Sequence, residues 1–283
     1  MIKNVADTVR DAIDKIPPLS IVIEKIIKLT SDPKTSAQSL ADVIQLDPIL
    51  TSRILQLVNS AYFSVGQELR SLKQSIVVLG FNTIKNVALS TAILSRVKIE
   101  KDNSVLVEEF WKHSFGVGIT SKMIAELSGV SKQYSEDFFV AGLIHNIGEI
   151  LICNTFPDEC ERMLEIVAEN KLTIPQIERN ILGLSHQEIG IAIGKKWNFE
   201  QHYLYAVGRH HNPVMEGSHS KYSMIVGAAN YMVNTAKISD FNDGIITPLP
   251  EIIWSKIGVD YSKVLESMPQ IPPEIEKARI SLQ

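Results

Sequence analysis

Apolar residues recur at helical rather than alternating spacing along nearly the whole chain. In "TSAQSLADVIQLDPIL", Ala37, Leu40, Val43 and Ile44 share one helical face, and Ser36 is placed to cap it. A second helix restarts at Asp47 and Pro48, with Asp47 as cap and Pro48 in the first position, where its missing N–H is not needed. It runs to about Val58, and Asn59-Ser60 reads as its end or a turn into the next element. Ser71 and Gln74 have capping-box spacing, Gly80 is placed to close that helix in a left-handed conformation, and Asn82 is the expected cap of the next. Connections this tight exclude the crossovers of a parallel sheet. The pattern predicts an all-α fold of two packed helical lobes with "KIEKDNSVLV" as the boundary segment: residues 1–100 with about five short helices, and residues 101–283, which end in a stretch punctuated by Pro269, Pro272 and Pro273.

One apolar run carries a polar pair. In "VAGLIHNIGEILI", His145 and Asn146 interrupt a window, Phe138 to Ile152, that is too short to span a bilayer and reads as one buried core helix. A buried polar group must find partners, so the plain expectation is a hydrogen-bonded pair holding neighbouring helices in register. With 45% hydrophobic and 21% charged residues the chain falls among globular proteins rather than disordered ones. Its 28 basic and 32 acidic residues are dispersed, for a formal charge of −4, which excludes the footprint of a nucleic-acid binder. Cys153 and Cys160 lack metal-type spacing and the N-terminus lacks an apolar signal region, so a cytoplasmic protein with reduced thiols and no membrane insertion is expected.

Five of the seven histidines, His113, His145, His186, His210 and His211, lie in helical surroundings of the second lobe. Imidazoles from separate helices can converge on a cation, and neighbours such as His145 and Asn146 diverge by only about 100°. Hard, oxygen-preferring metals need carboxylate charge, and beside His145 the chain has an amide. Each residue also has a plain reading. His186 could bond a backbone carbonyl, His210 and His211 end a helix whose dipole favours protonated imidazole, and Trp111 and Phe115, four apart, read as core packing.

The order "FWKHS", "GLIHN", "GLSHQEIG", "GRHHNP" resembles the HD superfamily of metal-dependent phosphohydrolases. In the first lobe, "IPPLS", "IIKLTSDPKTSAQSLADVIQLDPILTSRILQLVNSAYF" and "SLKQSIVVLGFNTIKNVALS" look like the HDOD domain, a bacterial signalling module related to those enzymes. The resemblance spans roughly Ile16 to Leu265, with Asp47-Pro48 and "NSAYF" its most specific features. It implies metal ligands at His113, His145, His186, His210 and His211, but the two family aspartates stand here as Asn146 and Asn230. Glu149 replaces the basic residue of the phosphodiesterase branch. The resemblance therefore implies a non-catalytic cytoplasmic signalling module, with no catalytic residues and no metal or other cofactor expected. Because no receiver, kinase or cyclase segment is visible, its partners are expected to be other signalling proteins acting in trans. The alternative is a metal-dependent phosphohydrolase acting on a nucleotide or cyclic dinucleotide, and the histidines alone could still hold Zn²⁺, Ni²⁺ or Mn²⁺.

Overall fold

In a computed structural model, the structure describes residues 5–59, 63, 66–96, 104–168, 172–213, 215–241, 246 and 248–282, and among these every regular element is helical. The first part comprises α1 (Val5–Lys15), α2 (Ile21–Thr30), α3 (Ala37–Ile44), α4 (Pro48–Val58), α5 (Leu72–Leu79) and α6 (Phe81–Arg96). The second begins with α7 (Ser104–Leu127), α8 (Lys132–Leu143), α9 (Ile147–Thr155), α10 (Pro157–Ala168) and α11 (Ile174–Leu182). It continues through α12 (His186–Lys196), α13 (Gln201–Arg209), α14 (Ser220–Thr235), α15 (Glu251–Ile257), α16 (Tyr261–Ser267) and α17 (Ile271–Leu282). Of the expected boundary segment, residues 98–107, residues 98–103 lie outside the described residues, as does Ser60, and residues 104–107 already belong to α7.

Local chemistry sets most helix starts. The side chains of Ser36, Asp47 and Ser71 each accept a hydrogen bond from the backbone N–H three residues on, and Pro48 opens α4 as expected. Asn59 does more than end α4. Its amide donates to the carbonyls of Leu55 and Leu69 at 2.8 and 2.9 Å, and its oxygen accepts from Leu69 N at 2.7 Å, tying the end of α4 to the segment that leads into α5. Three local expectations are corrected. Gln74 reaches the N–H of Arg70 rather than that of Ser71. Gly80 has a positive φ of 86° but an extended ψ of 162°, so the chain re-enters α6 at once through Phe81. Asn82 therefore lies inside α6, with its amide donating to Gln133 and Asp137 instead of capping. Among the described residues of the first hundred there are six helices, the last of 16 residues.

α2 to α6 pack on one another, whereas α1 packs on α9 and α12, where Lys196 Nζ donates to the carbonyls of Ile13 and Asp14 and Trp197 Nε1 to that of Pro17. α7, α8 and α14 form the centre of the second lobe, and α17 returns against α7 and α4. α7 and α8 approach closely at a glycine contact. A Cβ on Gly142 would stand 2.7 Å from the Gly118 Cα, so neither helix tolerates a side chain there.

The apolar run around His145 is not one helix. α8 ends at Leu143, residues 144–146 form a turn, and α9 restarts at Ile147. By length and composition Lys132–Thr155 could cross a membrane, but 78% of its most apolar window is buried within the protein, which makes it the core of this lobe. Cys153 and Cys160, expected as free thiols, form a disulfide. The reason is tertiary: the elbow at Phe156 turns α10 back beside α9 and brings the two Cα atoms to 5.2 Å, within the span of such a bond.

Candidate functional site

The five helical histidines come together. His113 projects from α7, His145 from the turn between α8 and α9, His186 from the start of α12, and His210 and His211 from the end of α13. Ring centroids lie 5.2 Å apart for His113 and His145, 4.8 Å for His145 and His210, 5.3 Å for His186 and His210, and 4.3 Å for His210 and His211. The cluster is deeply placed: His113, His145 and His186 have no exposed surface and His210 has 2%.

The partners of the outer ring nitrogens fix the tautomers. His145 Nδ1 lies 2.7 Å from the Gly142 carbonyl, and His210 Nδ1 lies 3.0 and 3.2 Å from those of Val207 and Ala206. Carbonyls only accept, so both Nδ1 atoms carry protons. His186 Nδ1 donates to the Glu178 carboxylate at 2.8 Å, while its backbone N–H donates to the same carboxylate at 2.9 Å. The expectation that His186 meets a backbone carbonyl is corrected accordingly. His186 Nε2 and His210 Nε2 face each other at 3.3 Å, as do His113 Nε2 and His145 Nε2. In the first pair, neutral rings would oppose two lone pairs, a contact that becomes favourable when one ring is protonated or the two share a cation.

His211 does not behave as a helix-end imidazolium. Burial, reinforced by the neighbouring imidazoles and the Arg179 guanidinium, holds it well below the usual histidine range, so desolvation outweighs the helix dipole. Its Nε2 is buried without a hydrogen-bond partner among the described residues. A depressed histidine means that the unfolded chain takes up the proton first. The resulting stability is complete above about pH 6.5 and falls as the pH drops below it, by up to about 1.4 kcal/mol per pH unit. Urea unfolding at pH 7.5 and 5.5 is expected to show this slope, and His211→Gln to reduce it.

The pair that the sequence singled out divides. His145 is bonded as described, whereas the Asn146 amide, fully buried, has no hydrogen-bond partner for either its oxygen or its nitrogen among the described residues. The expected hydrogen-bonded pair is thus corrected, with Asn146 in the break between α8 and α9. Asn146→Leu, which keeps the branched shape and removes the polar atoms, is expected to raise metal-free stability by about 1–3 kcal/mol. A loss of stability in chemical unfolding would show that the amide is bonded in solution. Asn230 is engaged differently, its oxygen accepting from Asn234 Nδ2 at 3.1 Å.

Two carboxylates enter the site, Glu149, which the family resemblance placed there, and Glu178, which the sequence did not announce. Glu149 and Glu178 converge with His186, the Glu149 carboxylate 3.6 Å from its Nδ1, and His186, His210 and His211 converge likewise; within each trio the ligand atoms lie within 4.8 Å of one another. Glu178 precedes His186 by eight residues, and only the left-handed turn at Gly183 folds α11 back onto α12. No spacing motif announces such a pair. A cleft of about 280 Å³ opens beside the cluster, lined by His210, His211, Asn230, Arg179, Arg209 and Gln187 among others. Asp47, Pro48 and Asn59 lie in the other lobe, where their capping bonds are structural.

The donor set passes a test of fit for a cation. Three imidazoles have Nδ1 committed to acceptors and Nε2 turned inward, and Glu178 orients one of them as a carboxylate behind a metal-bound histidine does. The set is rich in nitrogen, which suits Zn²⁺ or Ni²⁺ better than Mg²⁺.

Comparison with known proteins agrees with this architecture. Residues 16–213 match the model of the HDOD domain, ending before the Leu265 suggested by resemblance. An HDOD domain protein of unknown function from Geobacter sulfurreducens superposes with a TM-score of 0.76 at 23% identity, over 97% of each chain. A Shewanella amazonensis protein named for an inferred phosphohydrolase activity gives 0.75 at 22% identity over 98% of each chain. A Marinobacter aquaeolei protein named for an inferred role in signal transduction gives 0.77 at 18%, over 98% of this chain and 65% of its own. These likenesses establish the fold. An uncharacterised protein of Treponema pallidum (strain Nichols) is 24% identical over 209 residues, and the match covers 74% of this chain but 40% of that relative's length.

Proposed function

The chain belongs to the HDOD domain family, and on that premise we propose that it is a non-catalytic cytoplasmic signalling module that acts through contacts with other signalling proteins. The observation that carries this reading is the charge-poor character of the two amide positions. Asn146 offers a buried amide with no hydrogen-bond partner among the described residues, and Asn230 an oxygen already taken by Asn234, where HD-type resemblance places two ligand carboxylates. An imidazole-rich site can retain a nitrogen-preferring ion in a structural or sensing role. His186, His210 and His211 would hold it, with Glu178 fixing the His186 ring and the Val207 and Ala206 carbonyls fixing His210. Such an ion, when bound, polarises a phosphoryl oxygen. Glu149 lies beside His186, and its carboxylate disfavours an approaching phosphate there.

A second reading, a metal-dependent phosphohydrolase, draws on the cleft, where Arg179 and Arg209 stand beside His210 and His211. One experiment separates the two. Asn146→Asp combined with Asn230→Asp is expected to tighten Zn²⁺ or Mn²⁺ binding by more than about tenfold, roughly 1.4 kcal/mol, over the natural protein, and by more than either single change. The natural protein is expected to hydrolyse no phosphodiester. Turnover by the natural protein that disappears in His145→Ala would replace the signalling reading with the enzymatic one.

A further inference from the structure

Cys153 and Cys160 belong to neither reading above, yet their position gives them a consequence for the site. We propose that they form a reversible redox-modification site, a dithiol that exchanges with low-molecular-weight disulfides such as oxidised glutathione, and that its state is transmitted to His186 by the helices it joins.

The geometry is specific. Cys153 stands near the end of α9 and Cys160 in the first turns of α10, and the elbow between them is held by Phe156 N donating to Ile152 O and Cys160 N donating to Phe156 O. The bond closes a separation of seven residues between helices already folded against each other. In the chain-entropy picture so short a loop constrains the unfolded chain less than a long one does, so the pair stabilises the fold less than a bond across a longer separation would. In a reducing compartment, disulfides that do form are mostly transient, catalytic or sensing. Cys153 is half-buried and within reach of a small disulfide, whereas Cys160 is 8% exposed.

The chemistry balances without a further reactant. The Cys153 thiolate attacks one sulfur of oxidised glutathione, forming a mixed disulfide and releasing one glutathione thiolate. The Cys160 thiolate then attacks the Cys153 sulfur and displaces the second. Two protein thiols are oxidised by two electrons and one glutathione disulfide is reduced to two thiols, with the protons passing to the released glutathiones or to solvent.

What the bond joins matters for the site. Glu149 lies one helical turn before Cys153 on α9, with its carboxylate 3.6 Å from His186 Nδ1. At the adjacent Gly148 the backbone of α9 rests against the His186 carbonyl, closely enough that an added Cβ would stand 2.0 Å from that oxygen. On the other side, α10 packs on α11, which carries Glu178, the carboxylate that accepts from His186. The disulfide thus ties together the arms that bring both carboxylates to one imidazole, and its reduction frees α9 and α10 to shift relative to each other.

The test uses the full chain in glutathione buffers graded from reducing to oxidising, with alkylation and mass measurement to count thiols. Imidazole resonances of isotopically labelled histidine, assigned with His186→Gln, report on the site without metal. Reversible interconversion across the series is expected, with the His186 resonance moving in step. In Cys153→Ser, and in a Cys153→Ser, Cys160→Ala double variant of unchanged helicity, that resonance should stay at its reduced position throughout. A pair that remains as thiols in excess oxidised glutathione, or a disulfide that resists excess reduced glutathione, overturns the redox site. Interconversion with an unmoved His186 resonance overturns the coupling. None of these outcomes depends on whether the histidines hold metal or perform catalysis, so the proposal and the signalling reading can fail separately.

Discussion

Asp137→Ala is expected to lower the free energy of unfolding by about 3–5 kcal/mol, the range for removing one partner of a buried ion pair. Asp137 is 6% exposed on α8 and is the acceptor on which the lobe contact converges. Its carboxylate accepts from Asn86 Nδ2 at 2.9 Å, Asn82 Nδ2 at 3.1 Å and the Tyr203 hydroxyl at 3.3 Å, with Lys85 Nζ at 3.5 Å. Burial, with the negative charges of Asp137 and Glu200 added, lifts the Tyr203 phenol well above its ordinary range, so it remains a donor. Alanine would leave buried Lys85 with the more exposed Glu200, at 3.2 Å, and would deprive Asn86 Nδ2 of its acceptor, while Asn82 keeps the Gln133 carbonyl at 2.9 Å and the Tyr203 hydroxyl keeps Asn86 Oδ1 at 3.0 Å. Because Asn82, Lys85 and Asn86 lie on α6 and Tyr203 on α13, the loss should also loosen α13, which ends in His210 and His211. Urea unfolding of the natural and variant proteins checks the magnitude. A change below about 1 kcal/mol, the value of an exposed pair, would mean that water already screens the network.

Gly148→Ala is expected to cost about 3 kcal/mol, the upper part of the usual range for overpacking, and to disturb the site as well as stability. The new Cβ would stand 2.0 Å from the His186 carbonyl oxygen and 2.9 Å from Gly190 N, both backbone atoms, so only separation of α9 from α12 can relieve the contact. That separation would draw Glu149 away from His186. Gly116→Ala is the control: its Cβ meets only side-chain carbons of Ile275, Val233 and Ile238 at 3.4–3.5 Å, and a change below about 1 kcal/mol is expected. If the two variants unfold at the same urea concentration, the α9 to α12 contact is more yielding than the backbone geometry implies.

Local chemistry was sufficient for much of this protein. The helical period, the caps at Ser36, Asp47 and Ser71 and the proline at Pro48 act within one turn, so neighbouring residues alone specify them. The gathering of His113, His145, His186, His210 and His211 was legible too, because those residue types recur in a family order and because polar groups in apolar runs must meet something. Tertiary structure decided what no local rule contains. Glu178 reaches His186 because Gly183 reverses the chain, and Asn146, in the break at residues 144–146, is buried with no hydrogen-bond partner among the described residues. His211 loses the proton favoured by a helix end because burial costs the cation more than the dipole returns, and Cys153 meets Cys160 because Phe156 turns one helix back on another. Each of these outcomes depends on atoms brought near by packing, and distances between elements are not encoded in the pattern of any one of them.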